Sequence, residues 1–263
     1  MRRLEGKVAI VTGASSGIGR ATAVALAKEG VNLALVARRE VELMQVAVAA
    51  RESGVDALVC PTDITDSKLV KETVRQVVER WGRVDLVVNV AGITTPHRNL
   101  ADMSVADWRR VLDTNATGAF LFIREALPYM RSQRKGLIIN ISSGAGLRPV
   151  ARAGVAYCAS KHAVHALTGS TNLEERRNGI RACVIAPGET DTPAMDQRPD
   201  APSPERRALF LRPEDVADAV VYVATQPDSV AVELLVINPA VQGSVEADFD
   251  KFLALGHTAT RSD

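Results

Sequence analysis

The 263-residue chain is poor in the residues that build disulfide frames and metal centres, and it has no long apolar run. Its three cysteines, Cys60, Cys158 and Cys183, are an odd set with no Cys-x-x-Cys spacing. That excludes a disulfide framework and a thiolate zinc site and points to a reducing compartment, so a cytoplasmic protein is expected. His97, His162, His165 and His257 are not spaced with acids or cysteines as metal ligands would be, and no metal is expected. Behind the basic start MRRLEGK the apolar run covers only residues 8–11, and neither a secretory leader nor a membrane span fits there or further on. Charge of one sign is also missing. Lysine and arginine total 32 against 31 acids, with no block of either, so no nucleic-acid partner is expected.

What is present is the balance of an ordinary globular protein, 46% hydrophobic and 24% charged. Apolar runs rich in β-branched residues alternate with helical patterns. Strands are predicted over 8–12, 32–37, 56–60, 85–90, 136–142, 181–187 and 233–238. Helices are predicted over 18–28, 40–53, 67–81, 105–131, 154–178 and 213–225. Little apolar/polar alternation within runs such as DLVVNV suits parallel strands buried on both faces. Repeated βα units with right-handed crossovers give an α/β fold, a doubly wound parallel seven-stranded sheet of the Rossmann type in one domain spanning 1–243. Residues 244–263 are weakly patterned and read as a fraying tail. The Pro- and Asp-rich stretch 193–204 reads as a loop past a strand end, placed to cover a ligand.

The first strand runs into TGASSGIG, residues 12–19. Gly13 permits a tight turn, Gly17 lets the backbone approach a pyrophosphate, and Gly19 lets the helix pack on the strand. The helix N-terminus that follows supplies N–H groups and a positive dipole end for phosphates. The spacing Gly-x-x-x-Gly-x-Gly differs from the common dinucleotide fingerprint, and a glycine-rich βα turn with no ligand is the bland alternative. Strand two ends in Val36-Ala37-Arg38-Arg39 without the acid that would reject a 2′-phosphate. A guanidinium suits a phosphate, so Arg38, with Arg39 or Ser15, is either the 2′-phosphate site or part of a solvated surface pair. Asp63 either accepts from an adenine amino group or caps the next helix.

Tyr157 and Lys161 of YCASK stand at i and i+4 on the long helix and share a face. A lysine charge near a phenol favours the phenolate, and such a tyrosine can pass a proton to or from a substrate oxygen. The alternative is an amphipathic helix with a buried tyrosine and a solvated lysine. Cys158 is expected to pack, and the histidines to be structural. Glu189 and Asp191 either touch substrate or cap a loop.

With these motifs in order, residues 6 to about 242 resemble the short-chain dehydrogenase/reductase family. TGASSGIG is similar to its cofactor loop, and NVAG at 89–92 to its Asn-Asn-Ala-Gly signature with Val90 in place of the second Asn. PGETDT at 187–192 resembles the segment after its sixth strand. Asn115, Ser143, Tyr157 and Lys161 resemble its catalytic tetrad. The resemblance implies NADP as cofactor, held by Gly13, Ser15, Ser16, Gly17, Ile18, Gly19, Arg38, Arg39, Asp63 and Ile64. It implies Asn89, Ala91 and Gly92 along the adenine and ribose side, and Pro187, Gly188, Thr190 and Thr192 flanking the nicotinamide. Tyr157 is the implied acid/base, and Lys161 binds the ribose. Ser143 orients a carbonyl, and Asn115 holds a relay water.

The implied reaction interconverts a ketone or aldehyde and an alcohol on a small molecule. The C-terminal LRPEDVADAVVYVATQP and ELLVINPAVQ resemble the 3-hydroxy acid (serine) dehydrogenase branch. Alternatives are 3-oxoacyl thioester reduction on an acyl-carrier protein and a non-catalytic NADP-sensing regulator. Arg148, Arg152 and Arg198 either face a carboxylate-bearing substrate or point to solvent and interface acids. The resemblance, together with helices apolar over much of their circumference near 120–127 and 156–167, implies a homo-oligomer, a tetramer or a dimer.

Overall fold

Alternate residues of a strand face opposite ways, and here both ways lead into core. In β1 (Val8–Thr12), Val8 and Ile10 join one apolar layer while Ala9 and Val11 join the other. The whole strand is buried. The computed structural model describes residues 2–196, 198 and 201–241; the expected tail 244–263 lies outside them.

Six further strands follow: β2 (Asn32–Ala37), β3 (Ala57–Pro61), β4 (Leu86–Asn89), β5 (Gly136–Ile141), β6 (Ile180–Pro187) and β7 (Leu234–Ile237). They form one parallel sheet in the order β3-β2-β1-β4-β5-β6-β7. All seven predicted strands are present, within two residues at each end.

The helices are α1 (Gly17–Lys28), α2 (Glu40–Arg51), α3 (Ser67–Trp81), α4 (Val105–Leu112), α5 (Gly118–Gln133), α6 (Val155–Glu175), α7 (Pro204–Arg207) and α8 (Pro213–Ala224). Buried residues of α1, α2 and α8 share one layer with the sheet. Those of α3 and α5 fill the other. Helix α3 shows how local sequence sets the ends. Asp66 accepts from the backbone N–H groups of Lys68 and Leu69, and Gly82 closes the helix at φ +70.

The predicted helix over 105–131 is interrupted. Residues Asp113–Thr117 form a π-helical turn between α4 and α5, with Asn115 buried at its centre. Such turns carry one extra residue per turn, which re-aims the side chains they hold. The expected loop over 193–204 contains a short 3-10 turn, Pro193–Met195, and runs into α7. This excursion leaves at Thr190 and returns at Leu211, which are paired by a parallel bridge.

Because the chain turns opposite ways after β1 and β4, their C-terminal ends leave a crevice between them. The functional residues gather there.

Candidate active site

A cleft of about 1760 Å³ opens at the C-terminal ends of the strands. The loop after β1 forms its floor. A Cβ on Gly19 would stand 2.2 Å from the carbonyl oxygen of Gly13, so the first turn of α1 lies directly against the loop. Gly17 adopts φ +51, and a Cβ there would press on Thr192 at 3.3 Å across the cleft. Ser16, the N-cap of α1, makes no side-chain cap bond, whereas Asp66 and Ser104 cap α3 and α4. The N-caps of α2 and α6 likewise make no side-chain bond, but at α1 the first N–H groups open onto the cleft beside the glycine loop, where a pyrophosphate could accept from them. These features fit a dinucleotide.

The expected cofactor residues Gly13, Ser15, Ser16, Gly17, Ile18 and Gly19 all line the cleft, as do Arg38, Arg39, Asp63 and Ile64. Arg39 donates to the Ser15 hydroxyl at 3.1 Å and pairs with Glu42, while Arg38 is exposed. Asp63 accepts from the backbone N–H and hydroxyl of Thr65 in its own turn, and Asp66 caps α3. The capping alternative for Asp63 is therefore excluded. Those bonds hold its carboxyl below the usual range, with help from the Arg38 charge.

Ala91 and Gly92 line the cleft, and Asn89 does not. Asn89 is buried beneath the sheet end, donating to Asn140 at 2.8 Å, and Asn140 donates on to Thr168 at 2.8 Å. Here the expectation of cofactor contact is corrected. Asn89 is the last residue of β4, and its side chain points to the layer shared with α6. Pro187, Gly188, Thr190 and Thr192 line the opposite wall.

Ser143, Tyr157 and Lys161 meet at the inner end. Ser143 leaves β5 as the N-cap of a 3-10 turn, its hydroxyl accepting from Ala145 N–H at 3.2 Å, and it stands beside the Tyr157 phenol, whose upward shift it opposes. Lys161 Nζ donates to the Ile141 carbonyl at 2.8 Å and lies 5.6 Å from the centre of the Tyr157 ring. Burial pushes the Lys161 ammonium down to about 8.

The expected lowering of the Tyr157 phenol by Lys161 is not what the geometry gives. Burial raises the phenol above its ordinary value, opposed by the Ser143 hydrogen bond and the charges of Arg198 and Arg98. The lysine is turned onto the Ile141 carbonyl. A raised phenol is protonated at neutral pH, the form a proton donor needs.

Asn115 stands behind the cleft wall. Its Oδ1 accepts from Ile93 N–H at 2.7 Å, and its Nδ2 donates to the Ile93 carbonyl and to Ser160 Oγ, each at 3.0 Å. Both amide hydrogens are committed, so a relay water would have to be held by an acceptor oxygen of this residue rather than by its amide N–H groups. Asn115 ties the segment after β4 to α6, three residues past Tyr157.

Among the arginines expected near substrate, Arg148 is exposed at the rim. Arg152 and Arg198 turn inward and share the carboxylate of Glu189, at 3.0 and 3.2 Å. Arg206 joins them at 3.5 Å. Arg98 donates to the carbonyls of Thr95 and Arg152. Arg98 and Arg206 carried no motif and were missed. The only signal was their sign, on segments that leave strand ends.

Cys60 and Cys183 are buried, which pushes both thiols up to about 12, and Cys158 packs against Val150, with an Sγ to N–H distance of 3.4 Å. Among the described residues no helix is long and apolar enough to cross a membrane, and no cluster of metal-ligating side chains occurs.

A parallel sheet with a capless phosphate loop at its switch point, and a Ser-Tyr-Lys group at the far end of the same cleft, defines a dinucleotide-dependent oxidoreductase. Residues 7–202 match the family described as short chain dehydrogenase. The chain belongs to that family and is an enzyme of the class acting on CH–OH groups with NAD(P).

It is 36% identical over 239 residues to an uncharacterised oxidoreductase of Staphylococcus epidermidis, covering 91% of this chain and all of that one. It is 38% identical over 241 residues, 90% of this chain, to the glycine betaine reductase ATRR of Emericella nidulans, of which it spans only 19%. A metagenomic short-chain oxidoreductase solved in complex with NADP superposes with a TM-score of 0.79 at 32% identity, covering 91% of this chain and all of that one.

Proposed function

We propose that the protein is an NADP(H)-dependent carbonyl reductase or alcohol dehydrogenase in which Tyr157 moves the proton. The observation that carries this is the joint placement of Tyr157, Ser143 and Lys161 at one end of the dinucleotide cleft. Bound NADPH supplies the hydride: NADPH + H⁺ + ketone ⇌ NADP⁺ + secondary alcohol. Ser143, beside the Tyr157 phenol, orients the carbonyl oxygen with its single hydroxyl hydrogen. Tyr157, protonated at neutral pH as a phenol is, delivers the proton to the nascent alkoxide. Lys161 contributes a donor on the wall between Tyr157 and Gly92, where it would meet the ribose. Asn115 keeps α6 in register with the strand end.

The choice of NADP over NAD rests on Ala37 and Arg38 at the end of β2, where no acid stands to meet a ribose hydroxyl. The C-terminal resemblance to the 3-hydroxy acid (serine) dehydrogenase branch supports a small hydroxy acid or related carbonyl as substrate, handled by a homo-oligomer in the cytoplasm.

The test is oxidation of NADPH across neutral ketones, oxo acids and aldehydes, with NADH in parallel. Turnover of at least one carbonyl with NADPH, and weaker use of NADH, is expected. Failure of every carbonyl with either cofactor would reject the reading.

A further inference from the structure

The first turn of α6 carries Tyr157, and it has no side-chain cap of its own. Its N-cap is Gly154 at φ +87, which has no side chain to offer the open N–H groups. Arg98, from the segment after β4, stands in. Its carbonyl accepts from Val155 N–H at 3.1 Å. Its Nη1 donates at 2.8 Å to the carbonyl of Arg152, in the 3-10 turn Ala151–Ala153 just ahead of α6. Its Nε donates at 3.0 Å to the Thr95 carbonyl. The approach is close. A Cβ on Gly154 would lie 2.7 Å from the Cβ of Arg98, so the arginine stem runs where only a glycine leaves room.

The start of the same segment is tied to the same helix. Asn115 joins both backbone groups of Ile93 to Ser160, and Ser160 Oγ donates on to the Tyr157 carbonyl at 2.8 Å. Tyr157 thus sits between two tie points on α6, Val155 held by Arg98 and Ser160 held by Asn115. The stretch between Ile93 and Arg98 is braced in turn, because Thr95 is buried and its hydroxyl donates to the His97 carbonyl at 2.8 Å. The half-buried Arg98 side chain is a strut from this braced stretch to the turn before α6, along the wall of the cleft.

We propose that Arg98 is a positioning residue for the oxidoreductase reaction, its guanidinium locking the first turn of α6 and so fixing how far Tyr157 enters the cleft. It works through the two carbonyls it spans, those of Thr95 and Arg152. A phenol two residues from a helix end moves with that end, and misplacing a reacting group by about 1 Å can cost on the order of 10²-fold in rate. The strut bears on α6 and not on the phosphate loop after β1, so it acts on turnover and leaves cofactor binding alone. The proposal rests on the oxidoreductase reading of the site and adds to it a residue outside the group of Ser143, Tyr157 and Lys161.

Arg98→Met tests it, since methionine keeps an apolar stem against Gly154 and removes both donors. The expected result is a kcat lower by about ten- to hundredfold with the Kd for NADPH unchanged. Arg98→Lys, which keeps one donor for the Arg152 carbonyl, is expected to recover part of that loss, and it carries the same comparison if the methionine variant does not fold. Wild-type kcat per folded chain, with only the yield or Tm reduced, would make Arg98 a residue of stability alone and overturn the proposal. An equal loss of kcat and NADPH affinity, the mark of a general disturbance of the cleft, would also overturn it.

Amide hydrogen exchange of the full chain reads the strut without turnover. In Arg98→Met, peptides over 150–158 are expected to exchange faster than in the wild type, while those over 163–175 keep their protection. That result together with a wild type that reduces no carbonyl leaves the strut standing and rejects only the oxidoreductase reading. Unchanged exchange over 150–158 overturns the strut itself.

Discussion

At the residue scale, burial does two opposite things within one turn of α6. It raises the Tyr157 phenol, and it lowers the Lys161 ammonium to about 8. For Tyr157 the consequence is catalytic. Tyr157→Phe keeps the ring packing and removes the proton, and steady-state assays should show kcat reduced by about 10²–10⁴ with NADP binding retained. Wild-type turnover in that variant would remove Tyr157 from the mechanism.

For Lys161 the consequence is also one of stability. Between pH 8 and its ordinary 10.5, the unfolded chain binds more protons at this position than the folded one. Stability from this group therefore rises across that window, and below it the full cost of burying the charge is present. Lys161→Met should be more stable than the wild type at pH 7, by on the order of 1–3 kcal/mol, with the gap closing towards pH 10.5. Denaturant titration at the two pH values checks this. No gain at pH 7 would mean that the hydrogen bond to the Ile141 carbonyl fully offsets the desolvation.

At the scale of elements, site residues sit where strands stop. β1 delivers the phosphate loop, β4 delivers Ala91 and Gly92, β5 delivers Ser143, and β6 delivers Pro187 through Thr192. β2 delivers Ala37 and Arg38, which give the cofactor preference its local cause. Ala37→Asp with Arg38→Leu should exchange a phosphate-binding charge for a hydroxyl acceptor. Fluorescence titration should show NADP affinity falling roughly ten- to hundredfold and NAD becoming the tighter ligand. Tighter binding of NAD than NADP by the unmodified chain would contradict the assignment.

The element read least well was the helix over 105–131. Its apolar period runs on without a break, because one residue inserted as a π turn leaves no mark in composition. That turn is what carries Asn115 into contact with Ile93 and Ser160. A relay role was legible for its residue type in its motif, but the bonds that tie its amide to Ile93 and Ser160 were not.

At the scale of the whole molecule, the sheet ends on an apolar edge. Leu234 and Val236 of β7 are 46% and 43% exposed, and Tyr222 of neighbouring α8 is 52% exposed. On α5, Phe120 is also half exposed among otherwise buried neighbours. Apolar surface on a strand edge and on a helix face suits two self-complementary contacts, and two such contacts build a tetramer of dihedral symmetry. Light scattering at micromolar concentration is expected to report four chains. Leu234→Lys with Val236→Lys should halve the mass by charging the edge, leaving a dimer held through the helical face. A monomer in the unmodified protein would overturn the expectation.

What the sequence by itself determined was whatever depends on short-range pattern. The βα alternation is written in apolar period, and the phosphate loop in glycines whose spacing only a close-packed turn requires. The Tyr157–Lys161 pair is written in the helical repeat. Tertiary structure decided what depends on groups distant in the chain. Asn89, inside a signature that reads as cofactor contact, is drawn into a buried amide chain by Asn140 and Thr168. Arg152 and Arg198 read separately as loop arginines and Arg206 carried no signal, and only the return of the chain from Thr190 to Leu211 sets them on Glu189. Charge acts through space, so neither that pairing nor the direction in which the Tyr157 phenol shifts could be read until the fold had placed these groups in one cleft.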